Sequence, residues 1–235
     1  MWGSEGPSLF ELARQALSAT ARGYDLLAPK FEATPFRTPD AIIDGALADL
    51  GPVKCALDLC CGTGAALPRL HALASERVVG VDFSPGMLAV ARQKIAGLEP
   101  PPALELREAD VLELDEDGRF DLVTCFGALG HIVGEDEARL LRVVRRALVR
   151  GGRLVLVSSY PPRPLSSSWL ACHAFNGLML ARNALIRPPF VMYYLTFLLP
   201  ELERTLRWQG FDVALERHRF PAPYEELVRV VATKR

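Results

Sequence analysis

The sequence predicts a doubly wound α/β fold, and three observations carry that prediction. Short apolar runs suited to strands alternate with helical repeats between residues 55 and 159. The central runs are apolar on both faces, as buried parallel strands are. A glycine-rich turn joins the first run to a helix. The 235 residues suit one large domain, or one domain with an inserted cap. Half of them are hydrophobic, enough for a full core. Lys+Arg 27 against Asp+Glu 28 leaves a net charge of -1. A protein that tracks a phosphate backbone usually carries a basic excess, so no nucleic-acid partner is expected.

Taken in order, residues 1–7 read as frayed. Ser8 with Glu11 forms a capping-box pattern, and Leu9, Leu12, Ala13, Ala16 and Leu17 follow at helical spacing. Thr38-Pro39 reads as an N-cap before a first-turn proline, opening a helix through Ile42, Ile43, Ala46 and Leu47 that ends near Gly51. Expected strands lie at 55–60, 77–82, 104–108, 120–126 and 153–159. Between them a helix follows Gly64, and a second opens on Ser84-Pro85 and ends near Gly97. A third spans 136–150 and stops at Gly151-Gly152. Runs at 211–217 and 227–233, joined by a proline-containing loop, suit an antiparallel hairpin. The organisation that follows is a helical N-terminal segment (1–50), a Rossmann-like core (51–160), an apolar helical cap after the fifth strand (161–205) and a final strand hairpin (206–235).

Cysteines 55, 60, 61, 125 and 172 are odd in number and include no CxxC pair. No histidine lies at metal-ligand spacing, so no metal site is expected. Reduced thiols and the lack of a basic stretch followed by an apolar one point to a cytoplasmic protein.

The most informative segment is Asp58-Leu59-Cys60-Cys61-Gly62-Thr63-Gly64, between a strand and a helix. Glycines there permit a tight turn and close approach of a ligand. The next strand ends in Asp82, where a carboxylate can accept bonds from both hydroxyls of a ribose. NAD would satisfy that much. However, Leu67 stands in place of the third glycine of GxGxxG, and Asp58 would repel a pyrophosphate while suiting an ammonium group. A further acid, Asp110, follows the third strand.

In these features the sequence resembles the class I S-adenosylmethionine-dependent methyltransferases, in particular their small-molecule members. ALDLCCGTG, VVGVDFSPGML, EADVLEL, FDLVTCFGALGHI and RRALVRGGRLVLV resemble that family's motifs in order, over roughly residues 50 to 160. Its quinone-pathway members often read DLCCGTG. The resemblance implies a seven-stranded sheet with a reversed last strand and S-adenosylmethionine as cofactor, leaving as S-adenosylhomocysteine. It further implies that Gly62 and Gly64 lie against the methionyl part, Asp58 near its amino group and Asp82 on the ribose. Phe83 and Met87 would flank the adenine, Asp110 and the Val111 amide would meet its edge, and Phe126 and Gly127 would lie beneath the reactive methyl. Cys60 replaces the usual first glycine of the loop, which leaves the backbone conformation there open.

On the acceptor side, His131 falls just past the fourth strand, and its ordinary pKa suits proton transfer. The alternative is a histidine that only bonds a neighbouring loop. The resemblance implies a tyrosine in an N-terminal segment that closes over the cofactor, which points to Tyr24, accompanied by Arg37. Surface packing is the alternative for both. Tyr160, Trp169, His173 and Tyr194 are further substrate candidates at the start of the cap or within it. The cap is rich in large apolar residues and has no acid from Ala138 to Pro200, but contains Arg163, Arg182 and Arg187. That composition suits an apolar acceptor such as a quinone, lipid-like or polyketide-like compound. It also suits peripheral contact with a membrane or a homodimer interface. The run PPFVMYYLTFLLP is well short of the ~20 residues of a span. Competing readings are an RNA methyltransferase and a cofactor-binding module without turnover.

Overall fold

The seven strands form one sheet in the order β3-β2-β1-β4-β5-β7-β6. The structure is a computed structural model and describes residues 6–235. The reading of residues 1–5 as frayed lies outside them. The strands are β1 (Val53–Leu59), β2 (Ala74–Asp82), β3 (Ala103–Glu108), β4 (Phe120–Cys125), β5 (Leu148–Ser158), β6 (Phe211–Glu216) and β7 (Val228–Lys234). β1 to β5 pair in parallel, and β7 runs antiparallel to both β5 and β6. This is the expected fold with its reversed last strand.

Both faces of the central strands are covered, which is why these strands read as continuous apolar runs. Leu57 and Leu59 of β1 belong to one core with Leu140, Leu141 and Val144 of α6 (Glu135–Ala147) and Leu202 and Leu206 of α8 (Glu201–Trp208). Ala56 belongs to the other, with Ile43 and Ala46 of α3 (Asp40–Leu47) and Leu67 and Leu70 of α4 (Leu67–Leu73). Each leucine so buried contributes about 1.5–3 kcal/mol.

Two expectations need correction. Thr38 is not the N-cap of α3: Pro39 occupies that position and makes no side-chain cap bond, and the helix stops at Leu47, short of Gly51. Thr38 instead packs against Gly127. The third helix does not reach Gly151-Gly152 either. β5 begins at Leu148, and residues 149–152 bulge out between the pairs Phe120–Leu148 and Leu122–Arg153. Glycine is required there because a Cβ on Gly152 would lie 2.9 Å from the carbonyl oxygens of Phe120 and Val149. Ser84 does cap α5 (Pro85–Ile95), accepting from the Met87 N–H.

The strand order reverses between β1 and β4, the place where an open α/β sheet leaves a crevice at its strand ends. Over that crevice lie α2 (Thr20–Leu27) and a 3-10 turn, Ala28–Ala33, with α1 (Leu9–Ala16) packed on α2. The Ser8–Glu11 capping box of α1 is present as read. Beyond β5, the 19-residue helix α7 (Ser167–Leu185) is followed by an irregular stretch up to α8.

Candidate active site

The glycine-rich turn leaves β1 through left-handed backbone at Cys60 (φ 52°), Gly62 (φ 54°) and Gly64 (φ 77°). The conformation left open at Cys60 is therefore left-handed, which costs a non-glycine residue about 1–2 kcal/mol. Its side chain packs against the core, and a thiol–thiol hydrogen bond to Cys125, with burial, pushes the Cys60 thiol up. A Cβ on Gly64 would sit 3.0 Å from Leu67 and 3.1 Å from Ala91, so the turn, α4 and α5 meet at this point. Gly62 has open space where a Cβ would stand, so its glycine serves the backbone angle and leaves the crevice clear.

Two buried carboxylates face this crevice. Asp82 accepts the Gly62 N–H at 2.8 Å on one oxygen and the Ser84 N–H at 2.9 Å on the other. Burial pushes its pKa up, and those two donors oppose the shift. Asp58 accepts the Thr124 hydroxyl at 2.7 Å. Burial pushes Asp58 up to about 7, against the Thr124 bond and with help from the charge of Asp82. A buried group raised in this way stabilises the free protein while it is neutral, fully below its unfolded value of 3.8. That stability is lost as pH rises through about 7. Asp58→Asn is therefore expected to melt above the parent at pH 8 and level with it near pH 4. A melting difference that stays constant across that range would contradict the assignment.

Phe83, Met87, Phe126 and Gly127 line the same crevice. Gly127 is at φ 76°, and any Cβ on it would collide with the Thr38 hydroxyl. Asp110 and Val111 are not brought into it. Asp110 is exposed and spends one carboxylate oxygen on the Leu112 N–H at 2.9 Å, while Val111 is buried in the core. They stand one strand further along the same edge, where the Ala109 N–H bonds the Asp82 carbonyl.

Opposite the carboxylates stand Tyr24 and His131, with the Tyr24 hydroxyl 2.6 Å from His131 Nε2. His131 Nδ1 lies 2.5 Å from the Val191 carbonyl, which can only accept. Nδ1 therefore carries the proton, and Nε2 accepts from Tyr24. Burial holds His131 below its ordinary value, opposed by the Val191 bond, and pushes the Tyr24 phenol well up. Neutral imidazole facing neutral phenol is the resting state. Val191 is itself fixed, because its N–H donates to Thr20 at 2.9 Å and neighbouring Phe190 exchanges two bonds with the Asn183 amide.

Sequence reasoning missed the clasps that hold the N-terminal segment over the crevice. Asp25 accepts the Ser84 hydroxyl at 2.6 Å and the Gly86 N–H at 2.9 Å. Glu32 accepts the Thr63 hydroxyl and pairs with Lys94 and Arg37, both at 3.0 Å. Arg37 lines the crevice, but its guanidinium is committed to Glu32 and Asp40. Tyr160 lies under the Arg217 guanidinium, and Trp169 packs tilted against His173 with ring centroids 4.0 Å apart; none of the three lines the crevice. Tyr194 lines a second, apolar cavity behind Tyr24. Among the described residues no group of three or more His, Cys, Asp or Glu could hold a metal ion.

Residues 56–152 match a family model described as a methyltransferase domain. The chain is 37% identical over 172 residues to the demethylmenaquinone methyltransferase of Thermus thermophilus, which covers 68% of this chain and 75% of that protein. The chain belongs to the class I S-adenosylmethionine-dependent methyltransferases. It is also 40% identical over 116 residues to the demethylmenaquinone methyltransferase of Lactiplantibacillus plantarum, and 35% over 117 residues to that of Bacillus mycoides. These matches span about half the length of the two relatives, 47% and 48%. Among solved structures, the fold is similar to a DhpI complex with S-adenosylhomocysteine (TM-score 0.66, 20% identity, 97% of this chain and 98% of that one). It is also similar to magnesium protoporphyrin IX methyltransferase of Synechocystis PCC 6803 (TM-score 0.61, 19% identity, 83% of each chain). The donor set suits the family's cofactor: the open space at Gly62 admits a ligand against the backbone, and two buried carboxylates suit its ammonium and hydroxyl groups.

Proposed function

We propose that this protein methylates a small apolar acceptor, with Tyr24 and His131 moving the acceptor's proton. The observation that carries this reading is the Tyr24–His131 pair in the carboxylate-lined crevice, whose Tyr24 also lines an apolar cavity. When bound, S-adenosylmethionine supplies a methyl already activated on a sulfonium. The residues bind, orient and exclude water. Asp82 receives the ribose hydroxyls, Asp58 the ammonium group, and Gly62 and Gly64 the methionyl chain. Phe83 and Met87 flank the adenine, and Asp110 and the Val111 amide meet its edge. Phe126 and Gly127 form the floor. As the acceptor's proton passes to the Tyr24 oxygen, the Tyr24 proton passes to His131 Nε2. The relatives' names support a quinone-like acceptor.

Calorimetric titration with S-adenosylmethionine, S-adenosylhomocysteine and NAD tests the reading. Binding of the first two in the micromolar range, and none of NAD, is expected. A folded sample that binds neither sulfur compound would overturn it.

The acceptor's apolar character is matched by the protein's surface. α7 exposes Leu170, Leu178, Leu180 and Leu185, with exposed Arg163 and Arg187 beyond its two ends and no acid from Ala138 to Pro200. No helix among the described residues is long and apolar enough to cross a membrane. We assign this face to docking on an anionic bilayer. Co-sedimentation with phosphatidylglycerol vesicles, but not phosphatidylcholine vesicles, is expected, and Leu178→Glu should abolish it. Lipid-independent dimerisation that Leu178→Glu disrupts would reassign the face to a second copy of the chain.

A further inference from the structure

Behind the Tyr24–His131 pair lies a cavity walled by Leu12, Phe175, Met179, Phe190 and Met192. It shares Tyr24 and Phe36 with the cofactor crevice, so the two spaces adjoin at these rings. One polar side chain interrupts the apolar wall. Gln15 lines the cavity and is only 7% exposed. Its stem is fixed by close packing: a Cβ on Gly23 would meet Gln15 Cγ at 3.2 Å and the Phe190 ring at 2.9 Å. At the edge of an apolar cavity this amide offers one donor group and one acceptor to whatever enters.

We infer that this cavity holds the ring system of the acceptor, and that Gln15 selects for an oxygen on the ring's far edge. The inference rests on the proposed methyl transfer, since it places the acceptor's ring in the space that adjoins the crevice at Tyr24. Aromatic and thioether walls suit a flat apolar ring. The amide can donate to a carbonyl oxygen or accept from a hydroxyl. The ligand class is thus an oxygenated one- or two-ring compound, held at one edge by Gln15 and presenting the other to Tyr24.

The test uses 1-naphthol and naphthalene as probes, titrated by fluorescence into the full chain with and without S-adenosylhomocysteine. Wild type is expected to prefer 1-naphthol by about three- to tenfold, the range of one net hydrogen bond. Gln15→Leu keeps the volume and should remove the preference by weakening 1-naphthol alone. Phe175→Trp should fill the cavity and weaken both probes. A preference that survives in Gln15→Leu, an absence of 1-naphthol binding to wild type, or unchanged binding in Phe175→Trp would overturn the inference. S-adenosylhomocysteine affinity, read in the same samples, reports separately on the methyltransferase reading. Its loss in wild type would sink that reading, while the probe titrations of the free chain would still report on the cavity.

Discussion

His131→Ala is expected to lower kcat by about two to four orders of magnitude while S-adenosylhomocysteine binds as before. The imidazole has one proton-accepting nitrogen, because the Val191 carbonyl holds the proton on Nδ1, and that nitrogen faces Tyr24. Tyr24→Phe should cost a similar factor, since the ring can still stack on Phe190 while the relay oxygen is lost. The double variant should be little worse than either single one, as for groups that act as a unit. Burial holds His131 below 6.5, so the imidazole stays neutral into mild acid. The acid limb of kcat should accordingly fall below 6.5 and vanish in His131→Ala. Equal loss of turnover and cofactor affinity in that variant would reduce His131 to a structural tie for the 190–193 segment.

Asp82→Ala should weaken S-adenosylhomocysteine binding by about 1–3 kcal/mol, roughly five- to 150-fold. Two losses combine. On the proposed reading the ribose loses its acceptor, and the N–H groups of Gly62 and Ser84 lose the carboxylate that aligns the turn with the start of α5. Asp82→Asn is not a conservative repair, because one side of the amide would present a donor to a backbone donor. Calorimetry measures the affinity, and the melting temperature of the free variants reports the loop contribution. Unchanged affinity in Asp82→Ala would remove this carboxylate from the binding site.

The half of the site that is local in sequence was legible. Asp58, Gly62 and Asp82 belong to a strand–turn–helix–strand unit whose chemistry is written in consecutive residues, and the structure brings them to one crevice, while Gly64 packs against Leu67 and Ala91 behind the turn. The Ser84 cap was readable for the same reason. What was not legible depends on contacts across the chain. Tyr24 and His131 are 107 positions apart, Asp25 and Ser84 are 59 apart, and Glu32 and Thr63 are 31 apart. No periodicity or spacing encodes those pairs. Thr38 was misread because a threonine before a proline looks like a cap, whereas packing against Gly127 decided its place. Trp169, His173 and Tyr160 carry suitable chemistry but do not line the crevice, and the Arg37 guanidinium is already held by two acids. Gln15 gave no signal at all, since an amide in a helix is ordinary until its burial is known.

The strand order has a consequence for biosynthesis. β7 lies between β5 and β6, so β6 has no edge to join until residues 228–234 arrive. During synthesis the five parallel strands can assemble as each emerges, but β5 must keep an open edge while α7, α8 and β6 are still being made. An unpaired edge is a template for pairing with another chain, and long-range pairings form slowly. Nascent chains stalled before residue 228 should therefore be the form most dependent on chaperones, and late arrest should cause more aggregation than early arrest.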